Sequence, residues 1–536
     1  MLLRFVATIG GLTAISRVLG FARDILMTAF LGASWVADCF VIAFKLPNFF
    51  RRLFAEGAFN AAFVPLFSEK LEVEKSADGE VLPPAAKQFA EETFSVLLLV
   101  LFAFVGLVEI FMPWVMLVLA NGFSDEPDKF ALAVTLTRIT FPYLLLISMV
   151  SLLGGVLNSL QRFAAVAATP ILLNLSIIGA LLALHPYLPT TGHALSVGVT
   201  LGGFVQFLWL AGALRRQGVD LRLLRPRLTD GVKKLLWLMA PVALGAGAMQ
   251  INLLIDIVIA SFLPDGSLSY LFYADRLNQL PIGIVGVAIG TAVLPMLSRQ
   301  ISGGDEGAAL RALNRGIELG LFFALPAAVA LVIIPGPLIA ALFERGAFDA
   351  ADTMKTASAL AAYALGLPAY VLIKVLSPAF FARKDTKTPV RYSIIALVLN
   401  TVLNLVLMGP LAHVGLALAT AIAAWVNVGL LAFGLSRRGY MQLDQRLWQR
   451  LPRLLIAAGS MGVFLWFGSP MLMDWYGQGE VMRALGIASL VACGALIFAL
   501  AAQMVGALRV SELRPLLRGQ VNGQVEGEAN REVEGS

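Results

Sequence analysis

The stretch SRVLGFARDILMTAFLGASWVADCFVIAFKLPNFFRRLFAEGAFNAAFVP, from Ser16 to Pro65, decides the fold of this chain. It holds two apolar segments, each long enough to cross a bilayer. A charge near the bilayer centre costs roughly 2.5–3.5 kcal/mol on insertion scales, so charged residues there normally face a protein interior or a water-filled cavity. We therefore predict that this pair of segments is the working part of the molecule. Its charged residues are Arg17, Arg23, Asp24, Asp38, Lys45, Arg51, Arg52 and Glu56.

Composition places the whole chain in the membrane. It has 536 residues, of which 59% are hydrophobic and 14% charged, and its mean hydropathy is +0.82. Soluble domains carry about 25% charged residues, so a soluble globular protein is excluded. The two cysteines, Cys39 and Cys493, lie in apolar segments without the spacing of a metal site, and we expect them to be packing residues.

Apolar runs of about 20 residues recur along the chain, and unbroken runs of this length favour transmembrane helices over strands. We predict an all-α, polytopic membrane protein with about fourteen such helices. The predicted segments are 5–31, 34–55, 89–119, 130–156, 163–184, 194–214, 235–262, 270–298, 312–342, 355–381, 389–409, 413–435, 452–469 and 482–506.

The loops that follow even-numbered segments carry most of the Lys and Arg. Residues 215–234, 383–391 and 437–453 are the main basic loops, whereas acidic residues gather in the loops on the other side. By the positive-inside rule, the basic loops and both termini are predicted to be cytoplasmic. The formal net charge of +6 is then explained by topology and by contact with anionic lipids, and no nucleic-acid partner is expected.

A weak internal duplication divides the chain. The run LPNFFRRLFAEGAFNAAFVPLFS has a shorter counterpart in LPIGIVGVAIGTAVLPMLS, about 220–235 residues later. Parallel repeats that meet around a central cavity are a recurring transporter design. The predicted organisation is an N-lobe at 1–218 (helices 1–6), a basic cytoplasmic linker at 219–234, a C-lobe at 235–438 (helices 7–12), a C-terminal helix pair at 439–506 (helices 13 and 14) and a disordered cytoplasmic tail at 507–536.

Charged residues recur at helical spacing in the first two segments. Arg17 and Asp24 are seven residues apart and so share one helix face, and nearby glycines permit close packing or a break. Asp38, Lys45 and Arg52 repeat this step along the second segment, up to a kink expected at Pro47. The second half adds Asp275 and Arg276 in the run YADRLNQLP.

Several arginines at membrane depth favour an anionic, phosphate-bearing substrate. Arginine offers a fixed fork of donors that suits phosphate and keeps its charge at any relevant pH. The alternative is that these Arg and Asp residues only lock helices together, and that Arg51 or Arg52 extends to the cytoplasmic interface. Asp256 and Lys374 are isolated charges for which ion coupling, gating and helix locking all remain open.

Enzyme chemistry is not indicated. The chain has no GxxxxGK[ST] phosphate loop, no His/Cys metal cluster and no Ser/His/Asp arrangement. A polyprenyl-phosphate transferase that uses Mg²⁺ is a remaining alternative, but arginines outnumber carboxylates in the critical segments. We therefore expect a transporter with no metal and no cofactor.

Five runs of sequence resemble the MurJ/MviN family of lipid II flippases, within the multidrug/oligosaccharidyl-lipid/polysaccharide exporter superfamily. The resemblance covers nearly the whole chain up to about residue 505. The runs are SRVLGFARD (Ser16 to Asp24), FKLPNFFRRLFAEGAFNAAFVP (Phe44 to Pro65), ITFPYLLLIS (Ile139 to Ser148), YADRLNQLPIGIVGVAIGTAVLP (Tyr273 to Pro295) and KTPVRYSI (Lys387 to Ile394).

This resemblance implies a fourteen-helix fold of two six-helix lobes and an added helix pair, in the bacterial inner membrane. It implies that the protein moves undecaprenyl-pyrophosphoryl-disaccharide-pentapeptide from the inner to the outer leaflet for peptidoglycan synthesis, by alternating access. A flippase for another polyprenyl-linked oligosaccharide and a multidrug exporter are the alternatives within the superfamily. Membrane lipids are expected partners, association with the cell-wall synthesis machinery is a further hypothesis, and we expect a monomer.

The resemblance also assigns residues. It places substrate-binding arginines at Arg17, Arg23, Arg51 and Arg276, prefers Arg51 over Arg52, and implies that the final helix pair forms a groove for the lipid tail. Membrane potential is the expected driving force, with Na⁺ or Cl⁻ coupling left open and Asp256 and Lys374 as candidate coupling residues. The supporting or gating candidates are Ser16, Asp24, Asp38, Asn48, Glu56 and Asp275.

Overall fold

The computed structural model describes residues 2–73, 82–471 and 479–507, and the regular structure within these residues is entirely helical. The predicted all-α fold is therefore confirmed. Most of the predicted tail, from residue 508 onward, lies outside the described residues.

The helices follow one another with short connections. In the first half they are α1 (Leu2–Leu31), α2 (Trp35–Phe50), a π-helix (Arg51–Phe59), α3 (Asn60–Val73), α4 (Pro84–Ile110), α5 (Met112–Leu119), α6 (Pro127–Thr140), α7 (Tyr143–Ser159), α8 (Phe163–Ala167), α9 (Thr169–Leu184) and α10 (Thr191–Arg216). In the second half they are α11 (Asp230–Ser261), α12 (Ser267–Pro281), a π-helix (Ile282–Gly286), α13 (Val287–Ser302), α14 (Glu306–Ile333), α15 (Pro335–Phe343), α16 (Ala350–Leu365), α17 (Leu367–Phe381), α18 (Lys387–Arg437), α19 (Gln445–Met471) and α20 (Glu480–Met504).

Each of the fourteen predicted segments coincides with one helix or with consecutive helices. Within the described residues, nine helical stretches are by themselves long and apolar enough to cross a membrane. One stretch, α18, contains two predicted segments, because the chain turns at Ala412, whose backbone is non-helical (φ 47°, ψ −130°).

The chain forms two compact units. The first comprises Met1–Tyr273, Phe343–Thr353 and Asn404–Leu416, and the second comprises Ala274–Leu342, Met354–Leu403 and Ala417–Ser536. In the first unit, α7 is almost wholly buried against its neighbours. In the second, α14, α17 and α19 enclose an apolar core that includes Leu313, Leu376 and Leu454.

The first helix is continuous. The glycines of α1 permit close packing or a break, and the structure shows no break, since the helix runs from Leu2 to Leu31. At Gly20, a Cβ would lie 3.4 Å from Nδ2 of Asn174 on α9, an ordinary van der Waals distance.

A proline precedes each π-helix. Pro47 lies four residues before the π-helix at Arg51–Phe59, and Pro281 lies immediately before the one at Ile282–Gly286. Proline removes a backbone donor and crowds the preceding turn, and π-helical turns often mark functional sites. The seven-residue register predicted from Asp38 to Arg52 therefore ends before Arg52, because Arg52 lies in the wide turn.

The turn between α1 and α2 is held by a segment distant in sequence. Gly32 adopts a positive φ of 60°, and the side chain of Ser34 caps α2 by accepting a hydrogen bond from Ala37 N. Ala347 N donates to Ala29 O at 2.8 Å. The close approach requires Gly346, since a Cβ there would meet Ala29 O.

Candidate functional site

Arg23 and Asp24 form a buried ion pair on α1. Arg23 is 8% exposed and Asp24 4% exposed, and Oδ1 of Asp24 accepts hydrogen bonds from Arg23 Nη2 at 2.6 Å and from Nε at 3.0 Å. Burial of two charges is tolerated because each neutralises the other. The sequence analysis placed both residues at the site, and the structure brings them together.

Asn174 on α9 completes this group. Its Oδ1 accepts a hydrogen bond from Arg23 Nη1 at 3.0 Å, and its Nδ2 donates to the backbone carbonyl of Ser16 at 3.1 Å. One asparagine thus fixes both the guanidinium of Arg23 and the backbone one residue before Arg17. The sequence analysis missed Asn174, although an asparagine in an apolar helix is itself a signal of an interhelical hydrogen bond.

A small cavity lies beside the ion pair. The face of Phe44 lies 5.6 Å from Cζ of Arg23, within the range of a cation–π contact. The cavity therefore presents one charged edge and an apolar wall. Its lining residues are Arg23, Asp24, Met27, Phe40, Phe44, Ile177 and Phe272.

Arg17 differs from Arg23 in its exposure and in its hydrogen-bond partners. It is exposed on α1, and it forms no hydrogen bond or ion pair with any residue that the structure describes. Its helix position is six residues before Arg23, about 9 Å along the axis. Arg17 therefore presents a guanidinium without a carboxylate partner, whereas Arg23 is held by Asp24.

Three of the charged residues near Pro47, Arg51, Arg52 and Glu56, lie in the first π-helix. Arg51 is partly buried and Arg52 is exposed, both at the start of the π-helix. Asn48 donates to Phe44 O at 2.7 Å, so its amide occupies the backbone acceptor one turn earlier. Glu56 is one of the residues whose side chain lies outside the described part of the chain.

Asp38 is buried near the start of α2 and binds the beginning of α12. Its Oδ1 accepts hydrogen bonds from Ser269 N at 2.9 Å and from Ser269 Oγ at 2.7 Å, and its Oδ2 accepts one from Gly266 N at 2.7 Å. A carboxylate suits a helix N-terminus, where backbone N–H groups lack intrahelical partners. Asp38 therefore ties α2 to α12 within the first unit.

Further polar contacts surround Asp38 at the end of the first unit that carries residues 32–34, 120–126, 262–266 and 344–349. We call it the outer end, because the positive-inside rule predicts that it faces away from the cytoplasm. Lys129 forms an ion pair with Asp265 and lies 4.2 Å from the ring centroid of Phe123. Asp352 accepts hydrogen bonds from Tyr270 Oη at 2.9 Å and Ala33 N at 3.2 Å. These contacts connect Ala33 to α16, α16 to α12, and both Phe123 and Asp265 to Lys129 on α6.

Two predicted residues lie on α12 in the second unit. Asp275 and Arg276 are both partly buried, and Gln279 Nε2 donates to Asp275 Oδ1 at 3.3 Å. Lys374 on α17 packs against the second π-helix, since a Cβ at Gly286 would lie 2.8 Å from its Cδ. The structure thus places Lys374 against a wide helical turn, a neighbour that the sequence analysis did not anticipate.

Asp256 is hydrogen-bonded by two asparagines. Asn404 Nδ2 donates to Oδ1 at 2.8 Å, and Asn252 Nδ2 donates to Oδ2 at 3.4 Å. This contact links α11 to the part of α18 that belongs to the first unit. Across the described residues, no group of three or more His, Cys, Asp or Glu side chains is arranged to hold a metal ion.

A family model described as "Lipid II flippase MurJ" matches residues 27–486, which include the Asp38 contact, the first π-helix and Arg276. The chain belongs to this lipid II flippase family. Membership makes it a multi-pass membrane transporter of the bacterial inner membrane and not an enzyme.

Relatives of this flippase family match over almost their whole length. A protein of Rhizobium tropici named "Probable lipid II flippase MurJ" is 43% identical over 95% of this chain and 96% of its own. A protein of Burkholderia cenocepacia named "Lipid II flippase MurJ" is 37% identical over 89% of this chain and 92% of its own.

Solved structures agree with the family assignment. A structure titled "Lipid II flippase MurJ, inward closed conformation" matches with a TM-score of 0.74 and 26% identity, over 95% of this chain and 99% of that one. An inward-facing MATE family multidrug transporter matches with a TM-score of 0.60 over 79% of this chain and 94% of that one. At 16% identity, this second likeness concerns the fold alone.

Proposed function

We propose that this member of the lipid II flippase family moves lipid II from the cytoplasmic to the outer leaflet by alternating access, with Arg17 as a phosphate contact. Membership in the family is the reason for proposing lipid II as the substrate and peptidoglycan synthesis as the process that it serves. A headgroup with a diphosphate must leave water to cross, and guanidinium groups compensate its charge.

The proposal for the site rests on the exposure and the pairing of Arg17. It is a cation in the middle of α1, exposed and without an ion pair in the described residues, next to a backbone position that Asn174 fixes. Arg23 then has a different task, because its donors are already engaged by Asp24 and Asn174. It holds the geometry of α1 through its contacts with Asp24 and Asn174.

Arg51, Arg52 and Arg276 are proposed as further headgroup contacts. Arg51 and Arg52 begin the first π-helix, and Arg276 lies five residues before the proline that precedes the second. A broken or widened helix exposes backbone groups and redirects side chains, which is how transporters commonly build substrate sites. Ser16, Asn48, Glu56 and Asp275 are proposed to support these arginines.

Asp38 is proposed to close the outer end. It accepts three hydrogen bonds from the start of α12, and hydrogen bonds to a charged group contribute about 1.5–3 kcal/mol each. Release to the outer leaflet requires these bonds to break, so the substrate must favour the open state by a comparable amount. The hydrogen bonds of Asp38 thus keep the outer end closed in the absence of substrate.

Membrane potential is proposed as the driving force. Each negative charge moved outward across an inside-negative membrane gains about 2.3 kcal/mol per 100 mV. Coupling to Na⁺ or Cl⁻ would act in addition, with Asp256 and Lys374 as the candidate coupling residues. We further propose that both termini are cytoplasmic, that the protein acts as a monomer and that it works beside the cell-wall synthesis machinery.

Lipid II accessibility in cells tests this function. Cells depleted of the protein and complemented with the parent chain are expected to expose lipid II at the outer surface, whereas cells complemented with Arg17→Ala at equal membrane levels lose exposure. Normal exposure with Arg17→Ala would overturn the phosphate-contact role. Exposure that persists in depleted cells would overturn lipid II as the substrate and favour another polyprenyl-linked oligosaccharide.

A further inference from the structure

An extended segment, residues 219–229, joins α10 to α11, and we call it the strap. Its backbone is fixed to α4: Arg222 N donates to Glu91 Oε1 at 3.0 Å, and Leu224 N donates to Ser95 Oγ at 2.9 Å. Glu91 and Ser95 are both buried, at 7% and 1% exposure. The strap therefore has a defined path along the first turns of α4.

The position of the strap relative to the membrane follows from the exposed side chains of α4 and α11 beside it. One turn beyond Ser95, α4 begins to expose large apolar side chains, at Leu99, Val100 and Phe102. On α11, Trp237 is 81% exposed, and tryptophan is enriched at membrane–water interfaces. Irregular backbone exposed to lipid does not occur in the hydrocarbon core, so we infer that the strap lies at the edge of the core, next to these apolar side chains.

The exposed face of the strap combines cations with leucines. Its central run, RLLRPRL from Arg222 to Leu228, is exposed throughout and contains no acidic residue. Leu223 is 65% exposed and Leu228 60% exposed. Arg222, Arg225 and Arg227 form no ion pair with any described residue.

We propose that the strap is a docking surface for anionic phospholipids of the cytoplasmic leaflet. The arginines bind the headgroups, since basic residues beside a membrane contribute to binding at an anionic surface, and the leucines insert among the upper acyl carbons. The orientation follows from the basic loops, which the positive-inside rule places in the cytoplasm.

An acidic protein segment is the competing occupant. The tail of this chain is rich in glutamate beyond residue 525 and lies outside the described residues. Lipid fits better, because an acidic segment would neutralise the arginines but would leave the exposed leucines in water.

A depth measurement tests the proposal on the full chain. Leu228→Cys, in a Cys493→Ser background that leaves only the buried Cys39, is labelled with a nitroxide and reconstituted in phosphatidylcholine bilayers with and without phosphatidylglycerol. Relative accessibility to oxygen and to a water-soluble nickel chelate reports the depth of the label. We expect the label to lie deeper in bilayers that contain phosphatidylglycerol. Each strap arginine replaced by glutamine should weaken the preference of the strap for these bilayers about fivefold.

Arg215 and Arg216 provide the matched control. They are exposed at the end of α10, a few residues before the strap. Arg215 pairs with Asp220 at 3.6 Å, but exposed pairs contribute only about 0–1 kcal/mol, so Arg215→Gln with Arg216→Gln should leave the depth unchanged. Equal depth in both bilayers, or an equal effect of the control pair, would overturn the proposal. A preference that appears only when residues 508–536 are removed would identify the tail as the occupant instead.

Discussion

Ser269 gives both its backbone N–H and its hydroxyl to a single oxygen of Asp38, across 231 positions of sequence. Gly266 N binds the other oxygen, so both oxygens of the carboxylate are used. An asparagine at position 38 has only one acceptor oxygen and would turn its NH₂ group toward one of these donors. The outer end of the first unit therefore depends on a carboxylate at this position.

Asp38→Asn is expected to loosen the outer end and to reduce flipping. Cys39 is a built-in reporter, because it is fully buried and its thiol donates to Lys129 O. Labelling of Cys39 by a membrane-impermeant maleimide, in a Cys493→Ser background, should rise in Asp38→Asn membranes. Ser269→Ala keeps the backbone donor and should give a smaller rise. Unchanged labelling in both variants would show that this contact does not hold the outer end closed.

Arg17→Ala is expected to impair transport without impairing folding. Because Arg17 is exposed and forms no ion pair in the described residues, the variant should change the free energy of unfolding by less than about 0.5 kcal/mol. Lipid II flipping by purified protein in vesicles should fall sharply, with partial activity in Arg17→Lys. Val18→Ala, at a neighbouring exposed position, is the control. Loss of stability in Arg17→Ala would indicate a structural role.

Arg23 and Asp24 permit a test that separates binding from packing. Arg23→Gln leaves the buried Asp24 without this cation, which should cost about 3–5 kcal/mol in the free energy of unfolding. The double variant Arg23→Gln/Asp24→Asn should recover much of that stability. If the guanidinium of Arg23 itself serves the substrate, the double variant remains inactive; full flipping activity would mean that the pair only locks α1 to α9.

Glu318 is expected to be the strongest electrostatic link between α14 and α19 in the second unit. It is 2% exposed and forms ion pairs with Arg315 at 2.5 Å, with Arg446 at 3.4 Å and with Arg450. Glu318→Gln should destabilise the protein by about 3–5 kcal/mol, measured as a lower melting temperature in detergent.

Glu69→Gln is the matched control for Glu318. It removes one partner of the Lys234–Glu69 pair at 3.8 Å, in which the side chains are 61% and 63% exposed, and exposed pairs contribute about 0–1 kcal/mol. A similar loss in both variants would show that burial does not strengthen the Glu318 network.

Sequence patterns predicted the helices well because a bilayer sets a minimum length for apolar runs, and α4, α10 and α20 each satisfy it alone. Those patterns could not predict which residues distant in sequence bind each other in the fold. Nothing local to Asp38 indicates that Ser269 is its partner, and the glycines of α1 left both close packing and a break open, whereas the structure keeps the helix continuous. The π-helices were also missed, since a wide turn changes the backbone register without changing composition.

The two π-helices share a backbone deformation but not a chemistry. The wide turn after Pro47 contains Arg51 and Arg52, whereas the turn after Pro281 has the sequence IGIVG and contains no charge. The two turns thus share a backbone shape, while the cations occur in only one of them. Electrostatic polarity in this molecule is a property of its side chains, laid over a backbone plan that is nearly symmetric at these two turns.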